Sequence, residues 1–290
     1  MKFANVGDRS ALLLDHGFVD VATASGGRFG PDVARLYESW AEFASWAAGL
    51  LADAPSATSV GVGQPGYVEG RVDHADLGLI SPSPRQVFAV GLNYASHAAE
   101  SGRSLPTVPA VFTKFSSCLA APYVDVPLVQ GRHDYEAELV VIIGRTARHV
   151  SAADAWSVVA GIACGQDFSE RITQNASGGH FSLGKSFPNF GPIGPYLVTP
   201  DSVPNPDDLA ISCTVNDEVR QNSRTSKMVF GVPALIEHLS GIVTLHPGDV
   251  IFTGTPEGVG NAMTPPGLLS AGDVVTTTIE GIGTIRQVIV

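Results

Sequence analysis

The chain has 290 residues, 44% hydrophobic and 16% charged, a globular composition long enough for one large domain and one small one. Seventeen Lys and Arg against 28 Asp and Glu leave a net charge of −11 with no basic run, which excludes nucleic acid as an expected partner. The N-terminus has no apolar stretch suited to a signal peptide, and no run reaches the roughly 18 residues of a membrane helix, so no membrane partner and a cytoplasmic location are expected.

Residues 1–84 are predicted to form a small N-terminal α+β domain. Asp32 is placed to cap a helix running to about Leu51, because Val33, Leu36, Trp40, Phe43, Trp46 and Leu50 recur at spacings of three and four. This pattern describes a helix packed on a core rather than an aromatic binding stripe. Gly61-Val62-Gly63-Gln64-Pro65-Gly66 matches a dinucleotide fingerprint, but that fingerprint needs a strand before it and a helix opening at its third glycine. Pro65 and the following YVEGRVDH do not supply the helix. SPSPR at 81–85 reads as a linker.

From Gln86 the texture is β-rich. QVFAVGLNY, ELVVIIG, VVAGIACGQ, LAISCTV, DVIFTG and DVVTTTIEG are predicted strands. One short helix is predicted after Ser151, with Asp154 three residues on, and another from Gly231-Val232-Pro233 to near Gly241. Asn216-Asp217 and Glu280-Gly281 mark hairpins. Strands and helices do not alternate, so a β-rich α+β domain over 85–290 is expected and a doubly wound parallel sheet is not. Cys118, Cys164 and Cys213, odd in number and widely spaced, are expected to be buried reduced thiols.

Chemistry concentrates in a few places. In Asp134-Tyr135-Glu136-Ala137-Glu138-Leu139 a strand would point Glu136 and Glu138 to one face and Tyr135, Ala137 and Leu139 to the other. Alone, the pair also fits a strand with one solvated acidic face. Asp167, at the end of a buried strand, adds a third carboxylate. Together the three could hold a hard divalent ion, Mg²⁺ or Mn²⁺, with Ca²⁺ as a further option. His97 and Glu100 are three apart, facing each other on a short helix, as a surface ion pair or as a base with its orienting acid. His133 and His180 read as ordinary loop histidines.

GLNYASHAAE, PAVFTKFSS, DYEAELVVIIG, GQDFSERITQ, LGKSF, GPYLVT and HPGDVIFTGTPEGVG occur in this order. Together, over residues 86–290, they resemble the catalytic domain of the fumarylacetoacetate hydrolase family. The resemblance implies a mixed β-roll catalytic domain and a homodimer. It implies Glu136, Glu138 and Asp167 as metal ligands and His97 and Glu100 as the catalytic dyad, on a segment that closes over substrate. Lys185 would act with them on the developing oxyanion, Arg171 and Gln174 would bind substrate, and Thr255 would hold the substrate carboxylate. The implied activity is metal-dependent cleavage of a C–C bond in a small β-diketo acid of acylpyruvate or fumarylpyruvate type, releasing a 2-oxo acid. An oxaloacetate-type decarboxylase and a 2-oxo-acid isomerase or hydratase are the alternatives on the same scaffold. An inactive metal-binding scaffold is a remote one, since holding metal needs neither His97 nor Glu100. Asn189-Phe190-Gly191 departs from the aromatic-Cys pattern of some acylpyruvate-cleaving members.

Overall fold

The computed structural model describes residues 1–52, 65–176 and 178–290. Gly61 to Gln64 of the glycine-rich match lie outside these residues; Pro65 and Gly66 form a turn into strand Tyr67–Glu69.

Two sheets carry the fold among the described residues. The larger has 11 strands. Along its main path the order is Tyr67–Glu69, Gly17–Asp20, Arg9–Leu14, Lys2–Val6, Gly191–Val198, Val159–Gln166, Ala137–Ile143, Val250–Phe252, Val87–Gly91 and Ala110–Thr113. The pairs are antiparallel except Val250–Phe252 beside Val87–Gly91 and the short Leu119–Ala120 beside Gly191–Val198. The second sheet runs Glu218–Arg224, Ala210–Val215, Val274–Ile279, Gly283–Ile289, Asp125–Val126. Few helices are present, and the class is the β-rich α+β fold read from the sequence.

Period-two alternation in Ala137–Ile143 divides the core. Leu139, Val141 and Ile143 pack with Ile211, Val275 and Ile285 of the second sheet. Val140 and Ile142 face the other way and pack with Phe3, Trp40 and Phe43. Both faces are covered, which is why the run LVVII is apolar throughout. The N-terminal strands continue the same sheet, with Lys2 opposite Val198 and Phe3 opposite Leu197. The apolar core therefore crosses residue 84, and the aromatic helix covers one face of the sheet that carries the acidic strand.

Asp32 caps its helix through Ala34 N–H at 2.8 Å and Arg35 N–H at 3.4 Å. The helix is not continuous: Val33–Leu36 passes through a tight turn, Tyr37–Ser39, into Trp40–Ala52. Tyr37 is held there, its hydroxyl donating to Ile80 O at 2.7 Å and its ring stacked on Trp40. The segment after Ser151 is 3₁₀, Ala152–Val158, rather than α. The Ser151 hydroxyl donates to the Asp154 carboxylate at 2.7 Å, so it does not cap a backbone N–H. Val232–Ile242 forms the other expected helix. Asn216 and Asp217 take φ of 51° and 66°, the left-handed pair that a two-residue hairpin requires. All three cysteines are buried and unbridged.

Candidate active site

Register builds the acidic cluster. Ala137 lies opposite Gln166 in the pairing of Ala137–Ile143 with Val159–Gln166, so Asp167 leaves its strand beside Glu136 and Glu138. One carboxylate oxygen from each residue lies within 4.8 Å of the others, and all three residues are buried. Gln166 fixes the crossing, accepting from Glu136 N–H at 2.8 Å.

Three buried cations surround the cluster. Lys185 Nζ lies 2.8 Å from Glu136 and 2.7 Å from Asp167. Lys114 Nζ lies 2.6 Å from the other oxygen of Asp167 and also donates to Lys185 O. Arg171 spans Asp134 at 2.6 and 2.9 Å, Glu136 at 2.7 Å and the Gln174 amide oxygen at 2.9 Å. Asp134 in turn accepts from Gly260 N–H at 2.7 Å and Asn261 N–H at 3.0 Å. Arg171 is therefore spent on orienting Glu136 and Gln174 and on tying the 260–261 loop to the site.

Protonation follows from these contacts. Burial opposes the charge of Glu136, but Lys185 and Arg171 outweigh it and bring the carboxyl down to about 2. Burial also opposes the charge of Lys114, yet Asp167 holds its ammonium above the ordinary value. Glu138 differs: burial first, then Asp167 and Glu136, push its carboxyl well above the usual range. It accepts from Gly254 N–H at 2.8 Å. Asp134, Glu136, Glu138 and Asp167 thus stand against Lys114, Arg171 and Lys185, four buried acids to three buried bases. A divalent cation fits this set. Its ligands are hard carboxylate oxygens, and one of them is left without a compensating charge.

The opposite wall carries the dyad. Asn93 anchors the entry to helix Ala95–Glu100, its amide donating to Thr253 O at 2.7 Å and Phe230 O at 2.9 Å. Leu92 takes a left-handed φ of 55° at that bend, local strain held by the Asn93 contacts. His97 Nδ1 lies 2.7 Å from Glu100 Oε1. The other Glu100 oxygen accepts from Gly258 N–H at 2.9 Å, and Ser96 donates to Glu257. The helix is thereby latched onto the 255–258 loop.

A cavity of about 370 Å³ lies between these walls; His97, Glu100, Glu136, Arg171, Gln174, Lys185 and Thr255 line it. The Thr255 hydroxyl is committed, donating to Ala137 O at 2.9 Å and accepting from Gln221 at 2.8 Å. Phe190 is fully buried and Asn189 bonds Asp125 O, so the departure at 189–191 belongs to the core and its edge. His133 is buried with its ring edge-on to Phe190 and accepts from Val129 N–H at 3.2 Å, outside the Glu136–Glu138–Asp167 cluster.

Sequence reasoning passed over Lys114, Gln166, Gln221 and the role of Asp134. Asp134 was open to detection, since it precedes Glu136 by two and shares its face.

A β-rich protein with a buried carboxylate cluster, an imidazole–carboxylate pair and one cavity joining them belongs to a class of small-molecule enzymes. The model for the fumarylacetoacetate (FAA) hydrolase C-terminal domain matches residues 86–290, and the chain belongs to the fumarylacetoacetate hydrolase family. It is similar to the mitochondrial oxaloacetate tautomerase Fahd2a of Rattus norvegicus, 43% identical over 209 residues, 71% of this chain and 67% of that one. A Mycobacterium smegmatis protein assigned as HpcE superposes with a TM-score of 0.91 at 45% identity, covering 100% of this chain and 99% of that one. The maleylpyruvate hydrolase of Sphingobium sp. SYK-6, in complex with manganese(II) and pyruvate, superposes with a TM-score of 0.76 at 30% identity over 100% and 99% of the two chains. No helix among the described residues is long and apolar enough to cross a membrane.

Proposed function

We propose that the chain is a divalent-metal-dependent hydrolase that cleaves the C–C bond of a β-diketo acid, of acylpyruvate or fumarylpyruvate type, and releases pyruvate or a similar 2-oxo acid. The observation that carries this reading is the facing of the His97–Glu100 pair and the buried acidic cluster across one cavity. Glu136, Glu138 and Asp167 would hold Mg²⁺ or Mn²⁺; when bound, the ion supplies Lewis-acid polarisation of a 2-oxo acid and a counter-charge. The charge balance supports a carboxylate substrate. With its four carboxyls ionised around a divalent ion, the cluster would carry one positive charge in excess, which a substrate carboxylate would offset.

The chain's own groups then divide the work. Glu100 accepts from Nδ1–H of His97, leaving Nε2 as the ring nitrogen that takes a proton from water. The water oxygen bonds to the distal carbonyl carbon, and the C–C bond breaks with its electron pair passing to the 2-oxo fragment. That fragment recovers the proton from the imidazolium. Lys185, charged and fixed at the cluster, stabilises negative charge on the oxygen of the departing fragment. Gln174 is held by Arg171 for a hydrogen bond to substrate.

A second reading, keto–enol tautomerisation or double-bond isomerisation, uses the same proton transfer without water attack. The 43% identity to an oxaloacetate tautomerase favours it. Manganese-loaded protein should be assayed against acylpyruvates, fumarylpyruvate and oxaloacetate in ¹⁸O-labelled water. Label in the released acid supports hydrolysis, tautomer exchange without cleavage supports the second reading, and inactivity on the whole panel refutes both.

We also propose a homodimer. Strand Ala110–Thr113 ends the larger sheet, and Val108, Phe115 and Leu183 nearby in sequence or contact are exposed apolar groups, a combination suited to covering by a second copy. Sedimentation as a monomer at micromolar concentration would overturn this.

A further inference from the structure

The cavity has a cation that the cluster does not use. Arg103 stands where helix Ala95–Glu100 ends. Gly102 takes a φ of 64°, and the N–H groups of Gly102 and Arg103 return to the carbonyls of Ala99 and Ala98 at 3.0 and 2.9 Å. These paired bonds close a helix C-terminus and fix where the next side chain starts. The Arg103 side chain lines the cavity, its guanidinium carbon 5.9 Å from the centre of the Phe181 ring. Phe181 meets Phe112 edge-on at 5.5 Å, and Phe112 has Lys185 Nζ 5.6 Å from its centre. The wall therefore runs from a cation at the acidic cluster, across two aromatic rings, to a second cation at the exposed end.

The two cations differ in commitment. Lys185 is bound to Glu136 and Asp167. Arg103 has no carboxylate partner among the described residues, in a chain with 28 acidic and 17 basic residues. Both acids on the cavity wall are engaged, Glu100 with His97 and Glu136 with Arg171 and Lys185. An unpaired guanidinium on such a wall is suited to a planar, bidentate anion.

On the reading of this cavity as a 2-oxo acid site, we propose that Arg103 is a specificity-determining residue that receives a second carboxylate. The substrate is then a 2-oxo dicarboxylic acid with its distal carboxylate on Arg103 and the middle of its chain along Phe112 and Phe181. A substrate ending in a plain alkyl group leaves the guanidinium unmet.

The test uses manganese-loaded full-length protein and two unreactive probes, 2-oxoadipate and 2-oxohexanoate, which share the 2-oxo acid end and differ in the distal carboxylate. Titration calorimetry on wild type should give 2-oxoadipate an advantage of about 10-fold or more, the scale of one charge-assisted contact. Arg103→Gln should bring both probes to the affinity of 2-oxohexanoate, and Arg103→Lys should restore part of the advantage. Equal binding of the two probes by wild type overturns the assignment, as does an equal loss for both in Arg103→Gln. Failure of both probes to bind wild type overturns the 2-oxo acid reading itself, a distinct result. Circular dichroism of each variant, unchanged from wild type, confirms that affinity and not folding is being read.

Discussion

Glu138→Gln separates effects that an activity assay merges. In the metal-free protein Glu138 accepts from Gly254 N–H and faces Asp167 and Glu136. Burial, then these two acids, push its carboxyl well above its ordinary 4.5. A raised folded-state pKa means that the folded protein holds the proton more tightly than the unfolded chain does. This contribution therefore costs stability as pH rises from about 4.5 through the raised value, and the cost is complete above it. Glutamine keeps the shape and removes the charge, so metal-free Glu138→Gln should be at least as stable as wild type at neutral pH. Manganese should invert the order. At a free ion concentration of about 100 times Kd, wild type gains about 2.7 kcal/mol. Unfolding 290 residues at about 2.1 cal/mol/K per residue carries an entropy of about 0.6 kcal/mol/K, so Tm should rise by about 4 °C. The variant has lost a ligand, and its shift should fall close to zero. Scanning calorimetry with and without the ion reads both effects. Glu170→Gln is the control: Glu170 is a buried carboxylate bonded to the N–H groups of Arg132, Ile172 and Thr173, outside the cluster. It should lose stability yet keep the ion-induced shift. A full shift in Glu138→Gln, or the same loss of shift in Glu170→Gln, refutes the ligand assignment.

His97→Ala should lower kcat by roughly 10²–10⁴, the range for a lost general base, while the manganese-induced Tm shift stays as in wild type; near-normal turnover would refute the dyad. Asp134→Asn leaves Arg171 buried without its principal anionic partner, and the new amide NH₂ can no longer accept from one of the Gly260 and Asn261 N–H groups. Urea unfolding should show a loss of about 3–5 kcal/mol, and a loss below about 1 kcal/mol would contradict the buried pair. A chain restricted to 85–290 should aggregate, because Val140, Ile142, Val250 and Phe252 lose their cover from Phe3, Trp40 and Phe43; a monodisperse product with cooperative unfolding would show that the cover is dispensable.

Ala137–Ile143 and Val159–Gln166 were legible because two covered faces make each a near-continuous apolar run, whereas Ala210–Val215 and Val274–Ile279 show themselves by β-branched residues and alternate buried with less buried positions. The acidic cluster was legible for a similar local reason, since Glu136 and Glu138 share a face whenever the segment is extended. Two kinds of information were not local. The texture change at SPSPR suggests a boundary, yet Lys2–Val6 pairs with Gly191–Val198, and nothing in either strand names the other. Lys114 reaches Asp167 across 53 residues of sequence and follows an unremarkable strand. The need for such a residue could still be inferred. Four acids in buried surroundings cannot all ionise without nearby cations. Lys185 and Arg171 satisfy only part of that need; Lys114 supplies a third cation, and the remaining acid, Glu138, is left to hold a proton or to meet a divalent ion. Arg103 lies outside the cluster and lines the cavity with no carboxylate partner among the described residues, which is the ground for proposing that it meets substrate.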